Sequence, residues 1–293
     1  MRVLVTGGTG FIGRAVCHAL RGAGHTVTIV SRDASGEASG DTIGWEAVGQ
    51  GAAAADAVVN LAGEPIAGGR WSPARKEAIL ESRVGATRAL VDAVGLATTR
   101  PKVLISASAV GYYGARDDEP LDETAGAGSG FLAEVCQAWE GEASRAEAFG
   151  LRVVRLRFGM VLAGDGGALA RMLPPFRAFV GGPLGDGQQW TSWIHRGDVT
   201  GLVLAALVNE GYRGAINATA PEPVRNRDFT AALGRVLVRP AAIRVPAMVL
   251  RLALGEMADV LLTGQRVLPR AAERLGYRWQ YPEVLGALRA SVR

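Results

Sequence analysis

Lysine is almost missing from this chain. Only Lys76 and Lys102 occur, and arginine supplies the rest of the 32 basic side chains. Against 28 acidic residues the net charge is +4, and no run of Lys or Arg gathers it into an arm or stripe. That excludes a dedicated nucleic-acid surface. Histidine is limited to His18, His25 and His195, and cysteine to Cys17 and Cys136, with no metal-ligand spacing among them. Neither a metal site nor a disulfide framework is expected, and the two thiols read as reduced. Long apolar runs are missing too. The best, Ala247–Leu254, is broken by Arg251, so no membrane span is expected. Met1 leads straight into a strand-like run and leaves no stretch for a signal peptide, so the expected location is cytoplasmic.

What is present is a chain of 293 residues, 48% apolar, long enough for one large domain or two that share a core. Short buried strands are expected at Arg2–Thr6, Thr26–Val30, Ala57–Leu61, Lys102–Ser106 and Arg152–Arg157, with a further short one at Thr42–Trp45. Between them lie helical patterns at Ile12–Arg21, at Pro73–Ala97 with Ser72 as N-cap, and at Gly130–Ala148. Strand and helix alternating in this way imply parallel pairing. The second half is less regular, with helices at Ala168–Phe179, Val199–Val208 and Arg227–Leu237, a strand at Ala215–Asn217, and a helical tail from Pro246 to Gly276. The fold class is therefore α/β: a Rossmann-type doubly wound parallel sheet with a smaller, partly interleaved C-terminal α/β domain. Residues 1–162 would form the first domain, with 193–218 returning to it, and 163–293 the second.

The strongest motif is Val5–Gly13, VTGGTGFIG, set between a strand and a helix. It satisfies G-x-G-x-x-G through Gly8, Gly10 and Gly13, and G-x-x-G-x-x-G through Gly7, Gly10 and Gly13. Glycines there permit a tight turn and close approach of backbone to a pyrophosphate, which the helix N-terminus then faces with unpaired N–H groups. Gly7, Thr9, Gly10, Phe11, Ile12 and Gly13 are the expected cofactor-binding residues of this loop. The end of the second strand chooses the cofactor. An acid there binds the ribose of NAD(H), whereas Arg accommodates a 2′-phosphate. Ser31 and Arg32 stand at that point and favour NADP(H), while Asp33 keeps NAD(H) as the alternative.

With VTGGTGFIG, VNLAG (Val59–Gly63), SASAVGYYG (Ser106–Gly114) and WIHRGDV (Trp193–Val199), the chain resembles an extended short-chain dehydrogenase/reductase. More narrowly it resembles the atypical branch described as epimerase family proteins or NAD-dependent epimerase/dehydratases. The resemblance runs over nearly the whole chain. It implies that Leu61, Ala62 and Gly63 line the cofactor beyond the pyrophosphate. It further implies that Ser82 and Ser106 approach the ribose or nicotinamide, and that Asp198 caps a helix. The reductases of this superfamily use a Tyr-x-x-x-Lys pair on one helix, in which Lys lowers the Tyr pKa. Placing Glu140 at the usual acidic position puts Leu132 where Tyr belongs and Cys136 where Lys belongs.

Ser108 and Tyr113 remain as the expected catalytic pair, with the Tyr113 phenol donating a proton to a substrate oxygen at the C-terminal edge of the sheet, and aromatic packing under the cofactor as the alternative for Tyr113. The resulting expectation is an NADP(H)-dependent oxidoreductase or epimerase-like enzyme acting on a small organic substrate, by reduction. A non-catalytic NADP(H)-binding redox sensor is the rival. A homodimer is kept open as the assembly.

Overall fold

The computed structural model describes residues 1–32, 41–67 and 69–292. Seven parallel strands make the central sheet: β1 (Arg2–Thr6), β2 (Thr26–Val30), β3 (Thr42–Ile43), β4 (Ala57–Asn60), β5 (Val103–Ala109), β6 (Arg152–Phe158) and β7 (Gly214–Ala218). Their order is β7-β6-β5-β4-β1-β2-β3. The chain leaves β1 in one direction toward β3 and then returns to build outward from β4 in the other. The ends of β1 and β4 therefore form the topological switch point, where open α/β sheets place their ligands.

The strands are continuous apolar runs because both faces of the sheet are covered. Side chains alternate across it. Val3, Val5, Val59, Ile105 and Val154 pack with α1 (Phe11–Gly22) and α7 (Arg196–Val208). Leu4, Val58, Leu104 and Val153 pack on the other face with α2 (Val48–Ala54), α4 (Val84–Leu96) and α5 (Phe131–Ser144). On α1 the buried residues Gly13, Val16, Cys17 and Leu20 follow the i, i+3, i+4, i+7 spacing of one helical face. Gly24, at φ +81°, turns the chain after that helix.

Two expectations are corrected here, and one helix that the sequence pattern did not announce is added. The long helix over 73–97 is two helices, α3 (Pro73–Glu81) and α4, separated at Ser82 and Arg83. The Ile79 carbonyl accepts the Ser82 hydroxyl and an Arg83 guanidinium N–H, while the Arg83 backbone N–H bonds Leu80 instead. Helix α2 lies in a Gly- and Ala-rich run without a strong apolar period, and tertiary packing of Val48 and Ala52 holds it. The tail from Pro246 is not one helix. Gly255 has φ +61°, and a Cβ on Gly264 would lie 2.1 Å from the Trp190 carbonyl oxygen, so close packing breaks the helical pattern. A strand, Arg266–Val267, follows and pairs with Pro120–Leu121.

In the second half, Met160–Leu162 pairs in parallel with Trp193–His195 outside the main sheet. These segments pack with α6 (Gly167–Arg177) and α8 (Asn226–Leu237) around Leu162, Leu173, Phe176, Trp193, Phe229 and Leu233. Asp198 was expected to cap α7. The cap is His195, whose Nδ1 accepts the Gly197 N–H at 3.0 Å. Asp198 is fully buried in the first turn, where its carboxylate accepts the N–H groups of Gln280 (2.7 Å) and Tyr281 (3.1 Å). It fastens the C-terminal segment to α7, so its role is structural. No helix among the described residues is long and apolar enough to cross a membrane.

Candidate functional site

The glycine-rich loop continues β1 at the switch point. Gly7 has φ +68°, and a Cβ on it would lie 2.5 Å from the Leu61 carbonyl oxygen. A Cβ on Gly13 would lie 2.0 Å from the Gly7 carbonyl oxygen. Both positions exclude side chains because backbone meets backbone. Gly10 differs. Among the described residues its Cβ would meet only the Gly7 oxygen, at 3.2 Å, and otherwise point into open space above the start of α1. Gly10 is the N-cap of α1 with no side-chain cap, and the first turn holds no acidic residue. The helix N-terminus is thus left positive and open, beside exposed Thr9, Gly10 and Gly63. Phe11 and Ile12 are half-buried in the first turn, with Phe11 against Gly166 and Gly167. This cradle fits a dinucleotide pyrophosphate.

Leu61, Ala62 and Gly63 run across the mouth of the loop, in contact with Gly7. Ser82 holds them from behind: its hydroxyl accepts the Glu64 N–H at 3.1 Å and donates to Ile79. Ser106 was expected near the ribose or nicotinamide, but it is fully buried. Its hydroxyl accepts the Asn60 amide at 3.1 Å. Asn60 also bonds Thr6 (2.6 Å) and Thr87 (2.8 Å), so a polar ladder ties the ends of β1, β4 and β5 together beneath the site. Burial removes Ser106 from direct contact. Ser31 and Arg32 follow β2, with Arg32 largely exposed and its guanidinium 3.4 Å from Glu64. Asp33 lies outside the described residues.

Arg83 was not singled out by sequence. Its guanidinium donates to the Glu64 carbonyl (2.9 Å) and lies over the Trp139 ring, 5.3 Å from its centroid. A Cβ on Gly63 would come within 3.2 Å of its Cζ, so this cation sits directly under the exposed Gly63. Burial lowers its pKa, and Cys136 is among its electrostatic neighbours. Its one sequence signal is its place immediately after Ser82.

Ser108 and Tyr113, the expected catalytic pair, are both enclosed. Ser108 is 2% exposed and Tyr113 0%. The Ser108 hydroxyl donates to Glu140 at 2.7 Å. Glu140 is itself buried and takes a two-pronged ion pair from Arg157, at 2.7 and 2.9 Å. Arg157 donates onward to the Tyr113 hydroxyl (2.9 Å), which faces Asn217 (2.7 Å) and the Asp122 carbonyl (3.0 Å). Burial pushes the Tyr113 phenol up to about 12 even with Arg157 beside it. Every member has internal partners. Leu132 and Cys136 do face the end of β5, where a Cβ on Gly111 would meet them at 3.3 and 3.8 Å. Burial, then Glu140, raises the Cys136 thiol to about 11, so it stays protonated at neutral pH. Tyr112 is half-buried, its ring 3.5 Å from the Arg157 guanidinium carbon.

Against protein-family models, residues 3–218 match the NAD dependent epimerase/dehydratase family, and residues 245–291 match a domain of unknown function, DUF1731. The chain belongs to the NAD dependent epimerase/dehydratase family. Within it, the chain is 46% identical over 304 residues to the chloroplastic epimerase family protein SDR39U1 homolog of Arabidopsis thaliana, covering 99% of this chain and 86% of that one. The crystal structure of human epimerase family protein SDR39U1 with NADPH superposes with a TM-score of 0.92 at 37% identity, covering 100% and 99% of the two chains. A nucleoside-diphosphate sugar epimerase from Corynebacterium glutamicum matches at 34% identity with a TM-score of 0.80, over 58% of its longer chain. The expected Rossmann-type fold and the narrower epimerase-family resemblance both hold.

Proposed function

We propose that this chain binds NADP(H) over the switch point and reduces a small organic substrate at the C-terminal edge of β5 and β6. The uncapped N-terminus of α1, with Gly10 open above it, carries this reading. The NADPH bound by the human relative supports it. Gly7, Thr9, Gly10, Phe11, Ile12 and Gly13 would hold the pyrophosphate, Arg32 the 2′-phosphate, and Leu61, Ala62 and Gly63 the adjoining ribose. When bound, the dihydronicotinamide supplies a hydride. Arg83, beneath Gly63 and near Cys136, would provide the positive charge that the superfamily's Lys provides. It cannot act as a base, because guanidinium stays protonated.

No side chain of the buried network would donate the proton. With Tyr113 and Ser108 enclosed, the proton comes from water or from Tyr112, which is nearer the surface. The enclosure of Ser108 and Tyr113 also favours a second reading, a protein that binds NADP(H) and turns nothing over. Nicotinamide fluorescence measures binding, and NADPH consumption against carbonyl compounds and activated alkenes measures turnover. Absence of NADPH binding defeats both readings, and binding without consumption across the panel leaves the second.

A further inference from the structure

In the sheet, β2 and β4 flank β1 on either side, with Thr6 in register with both Val30 and Asn60. Arg32 lies two residues past the end of β2 and Glu64 four past the end of β4. Two strand spacings separate their chains, about 10 Å. Their side chains nonetheless meet, Nη1 to Oε1, at 3.4 Å. They meet above the continuation of β1, which is the glycine-rich loop. The adenosine half of a dinucleotide lies in that same crevice.

We propose that the Arg32–Glu64 pair is a gate across the adenosine crevice, and that Glu64 moderates the choice between NADPH and NADH. This rests on the NADP(H) reading above. An entering ribose parts the pair, and a 2′-phosphate takes Arg32 from Glu64. Glu64 cannot withdraw far. Its carboxylate is held by Arg75 at 2.8 Å, its N–H by Ser82 and its carbonyl by Arg83 at 2.9 Å. Arg75 and then Arg32 hold its pKa below the usual carboxylate value, so it is ionised at neutral pH. A 2′-phosphate therefore meets a fixed negative charge at the site that attracts it. A 2′-hydroxyl meets a hydrogen-bond acceptor. Arg32 and Glu64 pull selectivity in opposite directions.

The test is Glu64→Gln, which removes the charge and keeps an oxygen for Arg75. NADPH and NADH affinities are titrated by fluorescence in both proteins. The ratio in favour of NADPH should rise roughly three- to tenfold at low ionic strength, mainly through tighter NADPH binding. The gain should shrink in about 0.5 M salt. Glu64→Ala, checked for folding by circular dichroism, should shift the ratio the same way. An unchanged or lowered ratio in both variants overturns the gate, the lowered case showing that Glu64 steadies Arg32 for the phosphate. Failure of the unmodified protein to bind NADPH defeats the cofactor reading and the gate together. Normal NADPH binding with an unmoved ratio defeats the gate alone.

Discussion

Two polar clusters sit at the C-terminal edge of the same sheet, one over β1 and β4 and one over β5 and β6. The first leaves its groups open: an uncapped helix, an exposed Gly10 and a largely exposed Arg32. The second closes on itself, with Ser108, Glu140, Arg157 and Tyr113 all under 5% exposed and each bonded to the next. An open polar group keeps its bonding capacity for a ligand. A closed network has used it on folding, and in a low-dielectric interior any break is costly. Residue type alone does not separate the two clusters, since serine, arginine, glutamate and tyrosine are as apt for catalysis as for a core.

The sharpest way to break this contrast is to cut the closed network. Glu140→Gln leaves Arg157 buried without its counter-charge and should cost about 3–5 kcal/mol of stability in urea unfolding. NADPH affinity of the folded protein should hold. A small stability change would reclassify the network as open. On the other side, Gly10→Val should weaken NADPH binding by about a hundredfold or more while thermal unfolding barely moves, because its side chain enters the open space above α1. Normal affinity would relocate the phosphate site. Arg32→Ala should weaken NADPH about ten- to a hundredfold and NADH little, by loss of one charge-assisted contact.

Smaller effects sharpen the comparison. Tyr113→Phe removes a hydroxyl with three internal partners and should cost about 1–3 kcal/mol in stability, with NADPH affinity unchanged. Any turnover found should survive it. A large fall in turnover without a loss of stability would return Tyr113 to the reaction. A pH-dependent effect concerns His195, which caps α7. Burial, then Arg196, lowers its pKa from 6.5 to about 4. The unfolded chain binds this proton first, so the contribution is complete above about pH 6.5 and is lost as pH falls toward 4. His195→Asn keeps an acceptor for the Gly197 N–H and should flatten stability between those values. An equal slope in both proteins would assign the pH dependence elsewhere.

Much of the glycine-rich loop and its flanking elements was legible because local chemistry specifies them. A strand, three spaced glycines and an amphipathic helix need one another, and Gly7 and Gly13 have a steric reason where backbone meets backbone, while Gly10 faces open space. The Ser31-Arg32 pair was legible by its place after β2. Ser82 and Ser106 were harder: both lie near the site in sequence pattern, yet Ser82 braces the Leu61–Glu64 loop and Ser106 belongs to a buried ladder. Arg83 escaped notice because its importance comes from Gly63 and Trp139, which are distant in sequence. The two readings of Tyr113 could not be separated in sequence, because a phenol at a strand end looks the same whether it faces a pocket or the interior.

Sequence alone specified the sheet and the glycine-rich loop. Apolar runs without alternation require a sheet covered on both faces, and glycine is the residue that admits backbone contact at Gly7 and Gly13. Which polar side chains stay available depended on the packing of distant segments. Arg157 from β6 reaches Glu140 on α5 and Tyr113 beyond β5, and Glu64 reaches Arg32 across β1. Those meetings depend on strand order and helix placement, and a buried group's chemistry is set by the partners that the fold brings to it.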